Sequence, residues 1–210
     1  MKRNDHTAMG KLTMILLSSV LGCVSCSPTH NQYFPVTDLK ERNNTLGFSI
    51  TPPSGSGWYE KLNDRTLYYL KKLPSTDYAI YTTATEIHLA EKQLKADSLL
   101  KLVERSKRVA APAEGLKNIS LRVVLEPQPS PLCVRYRQAY EDHGGKDLAS
   151  DHHIKIEKNG VVCLHPATPG VGIDMCYVES ERSTASEKTL SYREEGEFFL
   201  SSLRFFPGDG

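Results

Sequence analysis

The sequence lacks the residue patterns by which most enzymes and nucleic-acid-binding domains are recognised. Its 26 Lys and Arg residues nearly balance its 25 Asp and Glu residues, so no basic excess favours a nucleic-acid partner. It contains no His-Glu-x-x-His pair, no Walker phosphate-binding pattern and no Gly-x-Ser-x-Gly nucleophile elbow. We therefore predict no catalytic residue and expect a protein that is not an enzyme.

The sequence is also poor in long hydrophobic runs. The apolar stretch LTMILLSSVLG has 11 residues, whereas a helix that spans a bilayer needs roughly 20. It follows Lys2, Arg3 and Lys11, and a short apolar run after basic residues is typical of a secretory signal, whose apolar region has about 7–15 residues. We expect residues 1–22 to be a signal peptide.

The residues that end this stretch resemble a bacterial lipobox. Residues 20–22, Val-Leu-Gly, precede Cys23, and the resemblance implies that Cys23 carries fatty acyl chains such as palmitate. Cys26 is the alternative acceptor. More than one acyl chain makes membrane anchoring effectively permanent. Because Val24 and not Asp follows Cys23, the resemblance implies an outer-membrane lipoprotein that faces the periplasm, with the membrane as a partner through its lipid anchor.

The rest of the chain reads as a tether and one domain. Residues 23–44 collect Ser, Pro, Asn and charged residues without periodicity, as flexible spacers do. Residues 45–207 are enough for a single ordinary domain. Short runs rich in Tyr, Thr, Val and Ile predict strands, and they fall at residues 46–53, 66–73, 77–89, 118–126, 133–142, 153–165 and 171–182.

Two segments have helical periodicity instead. Residues 96–109 place apolar side chains at helical spacing, with Asp97 or Ser98 as the expected N-cap. Residues 191–206 begin with a Ser-x-x-Glu capping-box spacing. Their stripe of Tyr192, Gly196, Phe199 and Leu203 is expected to lie on a sheet. Strands and helices in this order predict an α+β fold, an antiparallel sheet with helices packed over it.

Two segments carry a resemblance to known proteins. The opening LGFSITPPSGSGWY and the final EGEFFLSSLRFF resemble the PsbP-like fold, which implies an α/β/α sandwich. The chain is also similar to uncharacterised proteobacterial lipoproteins that contain GSGWY, CVRY followed by EDHG, and CLHP. That family has no assigned chemistry, so the resemblance implies a fold and a compartment.

The three cysteines of the domain lie in a compartment where disulfides persist. If residues 133–142 and 153–164 form one hairpin, Cys133 stands almost opposite Cys163. A bridge there closes a loop of about 30 residues and contributes roughly 3–4 kcal/mol. Cys163 and Cys176 are the alternative pair, because they are symmetric about the next loop. In either case one cysteine remains unpaired.

Histidines and carboxylates gather at the other end of the same hairpin. Glu141, Asp142 and His143 end its first strand, while Asp151, His152 and His153 begin its second, and Asp142 is the carboxylate expected to join the histidines. Zn²⁺ or Cu²⁺ needs three or four such ligands aimed at one point. Strand alternation sends His152 and His153 to opposite faces, so only one of them can join His143. The alternative is a structural turn in which Asp and His adopt unusual backbone angles and cap free amides.

Trp58 and Tyr59 follow a glycine-rich loop and are candidates for contacting a partner. A place in the core is the alternative for Trp58. Together these patterns favour a non-enzymatic module that binds or stabilises another envelope component and has no cofactor. The alternative is an envelope protein that binds Zn²⁺ or Cu²⁺ with the histidine cluster.

Overall fold

The computed structural model describes residues 33–43, 47–62, 65–74, 77–90, 94–108, 115–130, 132–144, 152–183 and 191–206. The expected signal peptide, Cys23 and the first part of the expected tether lie outside these ranges. None of the helices in these ranges is long and apolar enough to span a membrane.

The chain forms eleven strands and two helices in the described ranges. In chain order they are β1 (Phe34–Pro35), β2 (Arg42–Asn43), β3 (Phe48–Ile50), β4 (Trp58–Leu62), β5 (Thr66–Lys71), β6 (Tyr78–His88), α1 (Ala96–Lys107), β7 (Leu116–Leu125), β8 (Cys133–Asp142), β9 (Ile154–Leu164), β10 (Val171–Arg182), α2 (Arg193–Ser201) and β11 (Arg204–Phe205). Eight of the strands make one antiparallel sheet in the order β1-β4-β5-β6-β10-β9-β8-β7. The order β11-β3-β2 forms a second, small sheet. The predicted mixed α+β fold is confirmed.

The two helices cover opposite faces of the large sheet. Successive side chains of a strand point to opposite faces, and on β10 Met175 and Tyr177 pack in one cluster with Phe199 of α2. Between them, Cys176 packs in a second cluster with Leu99 of α1. We call these two sides the α2 face and the α1 face. Each buries its own apolar core.

Helix α2 lies close to the sheet because Gly196 has no side chain. A Cβ atom added at Gly196 would lie only 2.5–2.8 Å from three ring atoms of Tyr177. Phe199 and Leu203, from the same predicted stripe, are fully buried. The predicted apolar face of this helix is therefore the one that packs on β10.

The structure corrects the predicted helix ends. Helix α1 begins after Lys95 without a side-chain cap, so neither Asp97 nor Ser98 is the N-cap. The N-cap of α2 is Tyr192, also without a side-chain cap. Its backbone N–H donates to the Glu179 carboxylate of β10, at 2.9 Å. The Glu179 carboxylate and the hydroxyl of Ser191, which accepts the Arg193 N–H at 3.3 Å, support this end of α2 in place of the predicted capping box.

The predicted final helix is also too long. It ends at Ser201, and Arg204 pairs with Ser49 of β3 as part of the small sheet. The predicted strand at residues 46–53 is shorter than expected and belongs to this small sheet, and its Phe48 and Ile50 pack in the same core as residues of the large one.

The hairpin of β8 and β9 has the register that the cysteine spacing predicts. Cys133 lies directly opposite Cys163, and a disulfide joins them, with an S–S distance of 2.06 Å. Cys176 is a free, buried thiol. It points to the α1 face while Cys163 points to the α2 face, so the alternative pair Cys163–Cys176 does not form.

Candidate functional site

The open end of the β8–β9 hairpin brings a carboxylate and two imidazoles together. Glu141 and His143 are two residues apart, and Glu141 pairs with Lys155 in the β8–β9 ladder, two residues after His153. The period of two therefore places all three side chains on the α2 face. Each offers one potential ligand atom, and these atoms lie within 4.8 Å of one another.

The imidazoles and the carboxylate are in direct contact. The rings of His143 and His153 stack with centroids 4.7 Å apart. The Glu141 carboxylate lies 3.1 Å from Nε2 of His143 and 3.8 Å from Nε2 of His153. The second of these nitrogens is buried and makes no hydrogen bond within the described residues. It is therefore an unsatisfied polar atom that faces a carboxylate.

Neighbouring strands hold the cluster in place. Hydrogen bonds from the Asn118 side chain and then from His143 lower the pKa of Glu141 below its ordinary value, which favours the ionised, metal-binding carboxylate. Asn118 has a positive φ of 52° at the register shift of β7. The backbone N–H of His153 donates to the hydroxyl of Ser183 at 3.0 Å, which fixes the start of β9.

The structure changes the membership of the predicted metal set. Asp142 is not part of the cluster, because its position in β8 faces away from Glu141 and its carboxylate accepts the Gly144 N–H at 2.8 Å. His152 is likewise outside the three-residue cluster, and His153 is the histidine that joins His143. The signal for Glu141 was present in the sequence, since it stands two residues before His143.

Two imidazoles and one carboxylate can act as three ligands of Zn²⁺ or Cu²⁺. Two ligands of one zinc ion lie at most about 4.2 Å apart, since each bond is about 2.0–2.1 Å. The rings of His143 and His153 have to rotate out of their parallel stack for both lone pairs to meet at one point. The shift is small because all three side chains already lie within contact distance.

A cleft lined by arginines lies on the same face, between α2 and strands β7 to β9. It encloses about 280 Å³. Its lining consists of Arg122, Val124, Arg135, Tyr136, Arg137, Asn159, Arg193 and Glu197. No pattern in the sequence drew attention to these arginines, which are up to 71 positions apart along the chain.

Two of the arginines are held by carboxylates. Arg135 contacts Glu126 at 3.0 Å and Glu197 at 2.9 Å. Glu197 also accepts a hydrogen bond from the Tyr177 hydroxyl at 3.0 Å, and burial raises the pKa of Tyr177 above its ordinary value. Arg137 contacts the Glu157 carboxylate of β9. The Arg135–Glu197 pair joins the sheet to α2 beside the cleft.

Trp58 lies in the core, which was the alternative for this residue, and is not available on the surface to contact a partner. Its side chain is only 1% exposed, and its indole N–H donates to the Ser54 carbonyl and to the Glu195 carboxylate. Lys71 donates to the same carboxylate at 2.5 Å. Tyr59 is half-buried and pairs with Pro35 at the short edge strand β1. Trp58 therefore anchors α2 to the sheet.

Comparison with known proteins adds no family assignment. The sequence matches no protein-family model, and no curated protein matches it.

Proposed function

We propose that this chain is a lipid-anchored, non-enzymatic binding domain of the bacterial outer membrane that faces the periplasm. In this role it binds or stabilises another envelope component, and its fold is a PsbP-like α/β/α sandwich. The observation that carries the proposal is the sequence Val-Leu-Gly before Cys23, directly after a short apolar run. A helix on each face of the antiparallel sheet supports the architecture.

The state of the cysteines and of His165 supports a binding role over a thiol enzyme. Cys133 and Cys163 are joined to each other, and the thiol of Cys176 is only 5% exposed. His165 accepts the N–H groups of Ala167 and Thr168 at Nδ1 and contacts the Gly47 carbonyl at Nε2. These interactions leave no paired thiol and imidazole among the described residues. A nucleophilic cysteine mechanism needs such a pair.

The proposal is tested by expressing the full chain and its Cys23→Ala variant in a diderm bacterium. We expect the unmodified chain to incorporate labelled palmitate and to fractionate with the outer membrane, and the variant to lose the label. A matched Cys26→Ala variant keeps the label. Release of the unmodified chain into the soluble fraction without label would contradict the anchoring step.

The binding role is tested separately by crosslinking in intact cells at native expression level. We expect a discrete crosslinked species that contains one envelope protein and that disappears when the chain is deleted. Anchoring without any crosslinked partner would leave the location correct and the binding role wrong.

A second candidate function is binding of Zn²⁺ or Cu²⁺ by Glu141, His143 and His153. It is favoured by their convergence and by the buried His153 nitrogen, which makes no hydrogen bond within the described residues. A metal ion at this point would satisfy that nitrogen and balance the Glu141 charge. Affinity for Cu²⁺ should exceed that for Zn²⁺, following the general order for nitrogen and oxygen ligands.

The metal proposal is tested by calorimetric titration of the purified, metal-stripped full chain with each ion. We expect one equivalent to bind, and more than about tenfold weaker binding after His153→Ala or Glu141→Gln, since losing a ligand should cost at least as much as losing a hydrogen bond that supports a ligand. His152→Ala is the matched control, because it removes the neighbouring histidine that lies outside the cluster, and it should bind as the original chain does. The absence of stoichiometric metal binding under metal-replete conditions would contradict this second candidate function.

A further inference from the structure

The arginine-lined cleft carries more positive than negative charge. Four guanidinium groups and a single carboxylate line it. The carboxylates of Glu126 and Glu157 reach two of the guanidiniums from outside the lining, with Arg137 and Glu157 2.7 Å apart. Arg122 and Arg193 form no ion pair with a carboxylate of the described residues. Two guanidiniums in the cleft thus have no ion-pair partner in the described part of the chain, and four guanidiniums with three carboxylates leave one net positive charge.

The strand register places one of these two guanidiniums next to another arginine of the cleft. Arg122 lies directly opposite Arg137 in the β7–β8 ladder, and Arg137 lies opposite Asn159 of β9. Residues paired in this way point to the same face, with Cβ atoms about 4.5–5.5 Å apart. Like charges directly opposite are destabilising. If this pair of arginines had no function, the protein would be more stable with a neutral residue in place of Arg122.

The second guanidinium without an ion-pair partner among the described residues is also unfavourably placed. Arg193 is the first residue of α2, where the helix dipole is positive and disfavours a cation. The same dipole favours an anion at this point, and the Arg193 side chain lines the cleft together with Arg122. Both charges would be stabilised by one negatively charged group between them.

We propose that this cleft binds a small ligand with two negative charges on oxyanion groups, either a phosphate monoester or a dicarboxylate. The planar guanidinium fork matches both phosphate and carboxylate oxygens. The cavity of about 280 Å³ suits a small molecule, being just below the usual range of roughly 300–1,000 Å³ for small-ligand pockets. Asn159, which is 8% exposed, adds a neutral amide to the lining. The proposal does not depend on membrane anchoring or on the metal site.

The test is titration of the purified full chain with inorganic phosphate and, in a second arm, with succinate at constant ionic strength. We expect saturable binding with a Kd below about 1 mM for at least one probe. Arg122→Gln and Arg193→Gln should each weaken it at least about tenfold, as expected for the loss of a hydrogen bond to a charged group. Arg105→Gln, on the exposed side of α1, is the matched control and should leave the affinity unchanged. Vesicles with and without phosphatidic acid then distinguish a lipid headgroup from a free ligand.

Stability measurements separate a binding role from a structural one. Without ligand, Arg122→Gln should melt at the same temperature as the original chain or higher, because it relieves the repulsion from Arg137. The proposal is wrong if neither probe binds saturably, if either cleft variant binds as well as the original chain, or if Arg105→Gln weakens binding equally. A lowered melting temperature for Arg122→Gln would also overturn it, since the side chain would then serve the fold.

Discussion

The close packing of α2 on the sheet predicts that Gly196→Ala destabilises the protein. In an exposed helix this substitution is stabilising by about 1 kcal/mol, because glycine is a poor helix former. Here the new Cβ atom would lie 2.5 Å from Cγ, 2.6 Å from Cδ1 and 2.8 Å from Cδ2 of Tyr177. Contacts of that length require the ring or the helix to move.

The ring cannot move away easily. Tyr177 is fully buried in β10, and its hydroxyl donates to Glu197 on α2 itself. Overpacking of this kind costs about 1–3 kcal/mol, and three short contacts against a fixed ring place it near the upper end. After the helix-propensity gain of about 1 kcal/mol, we expect a net loss of about 1–2 kcal/mol in the free energy of unfolding.

The measurement is urea unfolding followed by circular dichroism, for Gly196→Ala alone, for Tyr177→Val, and for the two together. In the Tyr177→Val background the added methyl group no longer meets the ring, so Gly196→Ala should be neutral or stabilising. The difference between the two backgrounds is a coupling energy of 1 kcal/mol or more, within the usual range of about 0.5–3 kcal/mol for residues in contact. If Gly196→Ala stabilises the original chain, the close approach of α2 is refuted.

Three further predictions concern the disulfide, the Lys71–Glu195 ion pair and the half-buried Tyr68. Replacing Cys133 and Cys163 with alanine should lower the free energy of unfolding by about 3–4 kcal/mol, since the disulfide closes a loop of 30 positions; a loss below 1 kcal/mol in chemical denaturation would show that the hairpin register holds without it. Glu195→Ala leaves the Lys71 ammonium, whose side chain is 7% exposed, without its carboxylate, and should lower the free energy of unfolding by about 3–5 kcal/mol. A small change in thermal unfolding would contradict this and would mean that water replaces the carboxylate. Burial raises the pKa of Tyr68 to about 12, above the unfolded value of about 10. The contribution of Tyr68 to stability is therefore complete below pH 10 and is lost as pH rises toward 12. An ultraviolet titration in which all accessible tyrosines, Tyr68 included, ionise near pH 10 would contradict this.

The sequence was informative where local periodicity and final packing agree. The β8–β9 hairpin and its disulfide were predictable because Cys133 and Cys163 are symmetric about one loop, and the α2 stripe was predictable because Gly196 and Phe199 keep helical spacing. The caps were not predictable, since the N–H of Tyr192 is satisfied by Glu179 of β10, a contact between distant parts of the chain. The two-residue strands have too few residues for any period.

The two candidate sites also differ in how far the sequence predicts them. The histidine cluster was predictable because its members lie at the two ends of one hairpin, and strand alternation places Glu141, not Asp142, on the face of His143. The cleft was not predictable. Arg122 and Arg137 meet only through the β7–β8 register, and Arg193 arrives from α2, more than fifty positions later. The spacing of these arginines in the sequence does not indicate that they come together in the fold.

Helix α2 is much shorter than the strands that carry both candidate sites. Helix α2 has nine residues and so covers roughly 13 Å at 1.5 Å per residue, whereas β9 has 11 residues and extends roughly 36 Å at 3.3 Å per residue. Along the α2 face of β8, Cys133 lies in the buried core, Arg137 lies beside the cleft and Glu141 belongs to the histidine cluster. The polar side chains begin at Arg135, which contacts Glu197 of α2, so the helix borders the cleft on one side. A longer α2 would have to bury more of these charges, so the part of this face from Arg135 to His143 is the part of the described surface best suited to bind a ligand or a partner.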